Sequence, residues 1–214
     1  DDNLFHTSTE GKVLENPKNS APEFIFQRTA SPEKAPNKPS YVSIGFKNSD
    51  PISVNGKILT PEKLLEKLNQ LVGKNGIGRV DLVENRFIGI KSRGVYETPG
   101  GTLLLVAHRA IESVTLDKDT MHKKDSIMPR YAELIYNGYW FSKERFKLQK
   151  IVDLKRNKVN GIIKLKLYKG NITIQSRITK SNAYCVKKVS FEENKTFNKS
   201  NVEKFINFHK KKLK

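Results

Sequence analysis

Glu84, Arg86, Lys91, Arg93 and Tyr96 are the residues of this chain whose types and spacing could do chemistry. They lie in Gly73-Lys-Asn-Gly-Ile-Gly-Arg-Val-Asp-Leu-Val-Glu-Asn-Arg-Phe-Ile-Gly-Ile-Lys-Ser-Arg-Gly-Val-Tyr-Glu-Thr-Pro-Gly-Gly101, where seven glycines punctuate short apolar pairs. Glycine suits backbone that turns at positive φ or approaches something closely. Val80 with Leu82, and Phe87 with Ile88, give the stretch its own apolar anchors, so it predicts short strands separated by turns, with the polar side chains held in place. A carboxylate among apolar neighbours, such as Glu84, must be paired if it is buried. Arg86 stands two residues on, on the same strand face, so a structural ion pair and a ligand contact are both open to Glu84. Tyr96 is open in the same way, between a core ring with a hydrogen-bonded tip and a ligand-facing hydroxyl.

Other chemistries find less support. His6, His108, His122 and His209 have no paired metal-ligand spacing, and Cys185, the single cysteine, has no partner thiol. No G-x-S-x-G nucleophile motif is present. The glycines at 73, 76 and 78 run from a predicted helix into a strand, the reverse of the strand-to-helix order of phosphate-binding loops. Pro99-Gly100-Gly101-Thr102 does enter a helix and could meet an anion, but a turn with an N-cap is the favoured account.

The elements that must carry these residues are legible in outline. The 214 residues suffice for one sizeable domain or two small ones, with a real core. Residues 1–40 hold five of the nine prolines and predict extended chain wrapping a surface. Tyr41–Lys47 alternates as a strand, and Asn55-Gly56 predicts a hairpin turn. Thr60-Pro61 opens a helix whose stripe is Leu64, Leu65, Leu68, Leu71 and Val72, with Gly73 as its stop. A second helix is predicted from a Thr102 cap to about Leu116. A third covers much of 117–136 with an interruption near Pro129. A fourth runs from a Ser142 cap to about Lys158, with Phe146, Ile151 and Leu154 inward. Residues 159–168 and 171–178 form a hairpin, Phe191 falls in a short strand, and 200–214 a terminal helix with Val202, Phe205, Ile206 and Phe208 on its apolar face. Strands and helices mix without βαβ alternation. The expected fold is therefore α+β, with largely antiparallel sheets, packed helices and a C-terminal helix; residues 1–199 make one domain and 200–214 an oligomerisation helix.

Charge is uneven. Residues 141–214 carry 21 Lys and Arg against 5 Asp and Glu, out of a total net charge of +18. A basic nucleic-acid-binding module is the alternative this suggests. Lysine dominates over arginine, however, and solvated lysine-rich faces are the simpler reading. No apolar run is long enough to cross a membrane, no signal peptide is visible, and a lone thiol suits a reducing cytoplasm.

The residues from Gly76 to Gly101 closely resemble the argininosuccinate synthase family. So do Tyr131-Ala-Glu-Leu-Ile-Tyr-Asn-Gly-Tyr-Trp-Phe-Ser142, Leu165-Lys-Leu-Tyr-Lys-Gly-Asn171, and Asn3-Leu-Phe-His-Thr-Ser8 with Leu14-Glu-Asn-Pro17. The resemblance implies an ATP-dependent ligase of arginine biosynthesis and the urea cycle. Such an enzyme adenylates citrulline, with Mg2+ on the nucleotide, and lets aspartate displace AMP. It implies citrulline contacts at Ser8, Glu84 and Tyr96, a homotetramer joined partly through the C-terminal helix, and a cytoplasmic location. It also implies that the ATP loop and the aspartate site lie in an N-terminal domain outside this chain, which alone would be inactive. No metal or nucleotide site, nucleic acid or membrane is expected for the chain itself.

Overall fold

The computed structural model describes residues 1–180 together with Ala183, Tyr184, Glu203 and Ile206. Two antiparallel sheets and four helices make up the described part, an α+β fold. The strand expected around Phe191 lies outside the described residues. So does the terminal helix, apart from Glu203 and Ile206, which are helical and exposed.

The larger sheet holds the main core. Its strands are β2 (Ser40–Lys47), β3 (Asp50–Val54), β4 (Lys57–Ile58), β7 (Gly161–Tyr168) and β8 (Asn171–Ile178), in the order β4-β3-β2-β7-β8. Val42, Ile44 and Phe46 alternate along β2, and Ile163, Leu165 and Leu167 along β7, so one face of the sheet is apolar. Two helices cover it. Helix α1 (Pro61–Lys74) buries Leu64, Leu68 and Val72, spaced four apart, and starts at Pro61 behind an extended Thr60. Helix α2 (Pro99–Thr115) adds Leu103, Ala107 and Ile111. Burying each large aliphatic side chain here contributes about 1.5–3 kcal/mol.

The remaining helices depart from expectation in instructive ways. Helix α2 begins at Pro99 with Thr98 in the cap position, and Thr102 lies inside its first turn, its hydroxyl bonded to Thr98 O at 2.7 Å. Helix α3 (Lys118–Tyr136) runs unbroken through Pro129. Pro129 is exposed, and the helix is secured at its start by an Asp117 cap bonded to Thr120 N at 3.1 Å. Helix α4 (Lys143–Val152) is capped by Ser142 as expected but stops short; Lys155, at φ 55°, turns the chain into a 3₁₀ turn over Arg156–Lys158. Phe146 is exposed on α4, and Arg145 is the buried residue. Its guanidinium lies over Trp140 and Phe146 and donates to Trp140 O at 2.7 Å.

The smaller sheet consists of β1 (Thr7–Glu10), β5 (Arg79–Asn85) and β6 (Lys91–Glu97), in the order β1-β6-β5. Residues 1–40 are therefore not wholly irregular: β1 comes from them. Among the described residues no helix is long and apolar enough to cross a membrane.

Candidate functional site

The smaller sheet has two unlike faces, set by strand parity. Val95 points to one of them and packs with Leu14 and Ile25, so the segment following β1 covers that side. Arg79 and Arg93 fasten the cover. Arg79 makes two 2.8 Å bonds to Glu23 and lies 3.7 Å from the centre of the Phe26 ring; Arg93 binds Asp81 and donates to Asn19 O at 2.8 Å. Glu97, only 2% exposed, accepts the backbone N–H groups of Gln27, Arg28 and Thr29 and the Thr29 hydroxyl, all within 2.9 Å. These charges are structural.

Even-numbered residues form the opposite face. Register places Ser8 opposite Tyr96, Val80 opposite Tyr96 on the other side, Glu10 opposite Gly94 and Glu84 opposite Ser92. Val80 and Leu82 on this face remain 42% and 37% exposed. Three residues singled out from the sequence thus share one open face: Ser8, Glu84 and Tyr96.

Tyr96 and Glu84 meet directly. The phenol donates to Glu84 Oε2 at 3.1 Å. The contact exists because Gly94 has no side chain: a Cβ there would stand 2.6 Å from the Tyr96 ring, which lies along β6 over the glycine. Partial burial, then the bond to Glu84 and that carboxylate's charge, push the Tyr96 phenol up to about 12. The ring of His6 stands 6.0 Å from that of Tyr96. Ser8 is half-buried and its hydroxyl has no partner among the described residues, so it is available to a ligand.

Arg86 occupies the other side of Glu84. Its Nη1 lies 3.5 Å from Glu84 Oε1, Nε donates to Ser92 at 2.6 Å, and Nη2 bonds Glu10. Desolvation opposes its charge, but Glu10 and then Glu84 outweigh that and raise its pKa. Glu84 therefore has an arginine neighbour, held loosely, and a tyrosine donor, while its side chain stays 16% exposed. Glu10, Ser92, Gly94 and His6 complete the cluster. Glu10 and Ser92 became visible only through cross-strand register. Lys91 binds Asn85 at 2.7 Å, and Arg93 serves the covered face, so neither joins the site.

The α2 N-terminus is committed within the protein. Gly100 N–H donates to Asn69 Oδ1 at 3.0 Å, and a Cβ on Gly101 would meet the Phe5 ring at 2.8 Å. No group of three His, Cys, Asp or Glu among the described residues could hold a metal ion. A separate cleft of about 910 Å3 lies along α2, α3 and α4; it shares no residue with the small-sheet site. What the small-sheet face offers is binding groups: a carboxylate and two hydroxyls share an open surface bordered by apolar strand residues.

The whole chain, residues 1–214, matches the model of the Arginosuccinate synthase C-terminal domain. It is 85% identical to the argininosuccinate synthase of Pelagibacter ubique over all of its length, which is 54% of that protein. It is 53% identical to the enzyme of that name from Roseobacter denitrificans and 54% identical to argininosuccinate synthase 1 of Rhizobium johnstonii, covering 53% of each. The chain spans about half the length of the curated relatives it matches. With its full length matched and a site face built from the same residues that carry the likeness, the chain belongs to the argininosuccinate synthase C-terminal domain family.

Proposed function

We propose that this chain is the citrulline-side portion of an argininosuccinate synthase, the ATP-dependent ligase that joins citrulline and aspartate to give argininosuccinate, AMP and diphosphate in arginine biosynthesis. The observation that carries the reading is the convergence of Ser8, Glu84 and Tyr96 on one open face. Citrulline is a zwitterion with a neutral ureido group. Glu84 offers a carboxylate to the ammonium, and the Ser8 and Tyr96 hydroxyls orient the other polar ends. Val80 and Leu82 give its methylene chain an apolar floor. The chemistry of this portion is positioning: it holds the ureido oxygen where an activated phosphoryl group can reach it.

ATP and Mg2+ are implied by the family, but the described residues do not fit them. The glycine-rich segment enters a strand rather than a helix, the α2 N-terminus is filled by Asn69, and no described carboxylate cluster could hold the metal. Nucleotide and aspartate are accordingly assigned to the rest of the enzyme. Residues 1–199 serve as the domain, and 200–214 serve self-association into a tetramer in the cytoplasm.

Steady-state kinetics of the full-length protein test the reading. Glu84→Gln should raise the citrulline KM by roughly tenfold or more while the ATP KM stays nearly constant. Unchanged citrulline kinetics would remove Glu84 from the site. The purified chain alone should form no argininosuccinate, and turnover by it near the full-length rate would overturn the division of labour.

A further inference from the structure

Three charged groups stand together at the end of β5, and their spacing is unequal. The Arg86 guanidinium reaches from the end of β5 across β6, where Nε is held by Ser92 at 2.6 Å, and bonds directly to Glu10 on β1. Its other amine stops 3.5 Å short of Glu84. Gly94 leaves the row between β1 and β5 free of any side chain, opposite both Glu10 and Leu82, so the arginine and the Tyr96 ring share the space over β6. Arg86 is thus drawn toward Glu10 and away from Glu84. Two carboxylates face one guanidinium: Glu10 takes the direct bond, and Glu84, the more buried carboxylate and the one that Tyr96 orients, is left with the looser contact.

We infer that Glu10 is a positioning residue for the ammonium of an α-amino acid substrate: by engaging Arg86 it keeps Glu84 from being neutralised internally. The inference rests on the citrulline reading above. A full Arg86–Glu84 pair would close the site on itself, since a carboxylate already satisfied by a bidentate guanidinium gains little from a second cation. Glu10 prevents this without touching the ligand. A bystander carboxylate would instead act only through its field, which is weak at an exposed position.

Double-mutant kinetics on the full-length enzyme separate these cases. Glu10→Gln should raise the citrulline KM by roughly three- to tenfold, with the ATP KM moved less than about twofold, and Glu10→Asp should recover part of the loss. In an Arg86→Gln background, Glu10→Gln should add less than about twofold, because the arginine it restrains is gone. Equal effects of Glu10→Gln in both backgrounds, or none in the wild type, would overturn the inference. The Glu84→Gln variant distinguishes the failures: if it raises the citrulline KM while Glu10→Gln does nothing, only the role of Glu10 falls, whereas if Glu84→Gln is itself silent the ammonium reading falls too. Glu10 is exposed enough, at 42%, that Glu10→Gln should fold normally, which thermal unfolding of each variant confirms.

Discussion

Tyr96 shows how a missing side chain can make a site. Its ring lies over Gly94, and its hydroxyl reaches Glu84 only because that lane is empty. Gly94 has ordinary strand geometry, so Gly94→Ala meets no backbone penalty, but the new methyl would sit 2.6 Å from the ring and push it away. The phenol reports the change. Partial burial and the Glu84 carboxylate hold its pKa at about 12 instead of 10, so the fold favours the protonated form. That contribution to stability is complete below pH 10 and is lost as pH rises toward 12. Subtracting the ultraviolet phenolate titration of Tyr96→Phe from that of the parent should reveal one tyrosine ionising near pH 12, and Gly94→Ala should bring it back toward 10. A difference curve already centred near 10 in the parent would show that Tyr96 is not held against Glu84.

At the scale of elements, the small sheet divides its charges between holding and binding, and two glutamates thirteen positions apart take opposite parts. Glu97 gathers three backbone N–H groups and a hydroxyl and thereby docks residues 27–29 against β6. Glu97→Ala strands those donors in a buried place and should cost about 3 kcal/mol or more, whereas Glu84→Gln should cost less than about 1 kcal/mol. Urea unfolding of the two variants decides; equal losses would mean that Glu84 too is structural. The sequence singled out Glu84 and passed over Glu97, because the partners of Glu97 are backbone groups some seventy positions earlier, which no local pattern displays. Strand alternation did disclose the β7–β8 hairpin and the β2 strand, and helical spacing the α1 stripe, since each is a short-range consequence of burial on one face. Helix ends were less legible. Thr98 and Thr102 are equivalent as caps until Pro99 is placed, and Pro129 is a helix breaker by local rule yet sits inside α3. Arg145 defeats the apolar pattern of α4 by burying its guanidinium against two rings. Ser8, Glu84 and Tyr96 were named together through family likeness; the register that joins them, and that brings Glu10 and Gly94 beside them, pairs strands more than eighty residues apart.

Across the described part of the molecule, the large sheet and its helices are tied by a partly buried polar cluster as well as by apolar contact. His108 on α2 shares a 2.6 Å hydrogen bond with Ser49 in the β2–β3 turn and packs edge-on against Phe46 of β2. One turn on, Glu112 receives Lys124 of α3 at 2.7 Å, both side chains less than 10% exposed, and Glu112 also lies 3.7 Å from His108 Nδ1. Sheet, α2 and α3 therefore converge on a glutamate whose charge Lys124 already neutralises. Burial depresses the pKa of His108; Glu112 and Asp50 pull the other way, while Lys124 and Arg109 add to the depression. The sign follows: with the folded pKa below 6.5, the neutral imidazole is the native form, its contribution is complete above pH 6.5, and it is lost as pH falls through the folded value. Acidification should therefore loosen the link between the β2–β3 turn and α2. His108→Gln keeps a group able to bond Ser49 but cannot take up a proton, so its melting temperature should fall less steeply than that of the parent as pH drops below 6.5, even if it starts lower. Parallel profiles for the two proteins would show that His108 is freely protonated in the folded state, and that the charge balance around Glu112, not the burial of the imidazole, governs how this molecule meets acid.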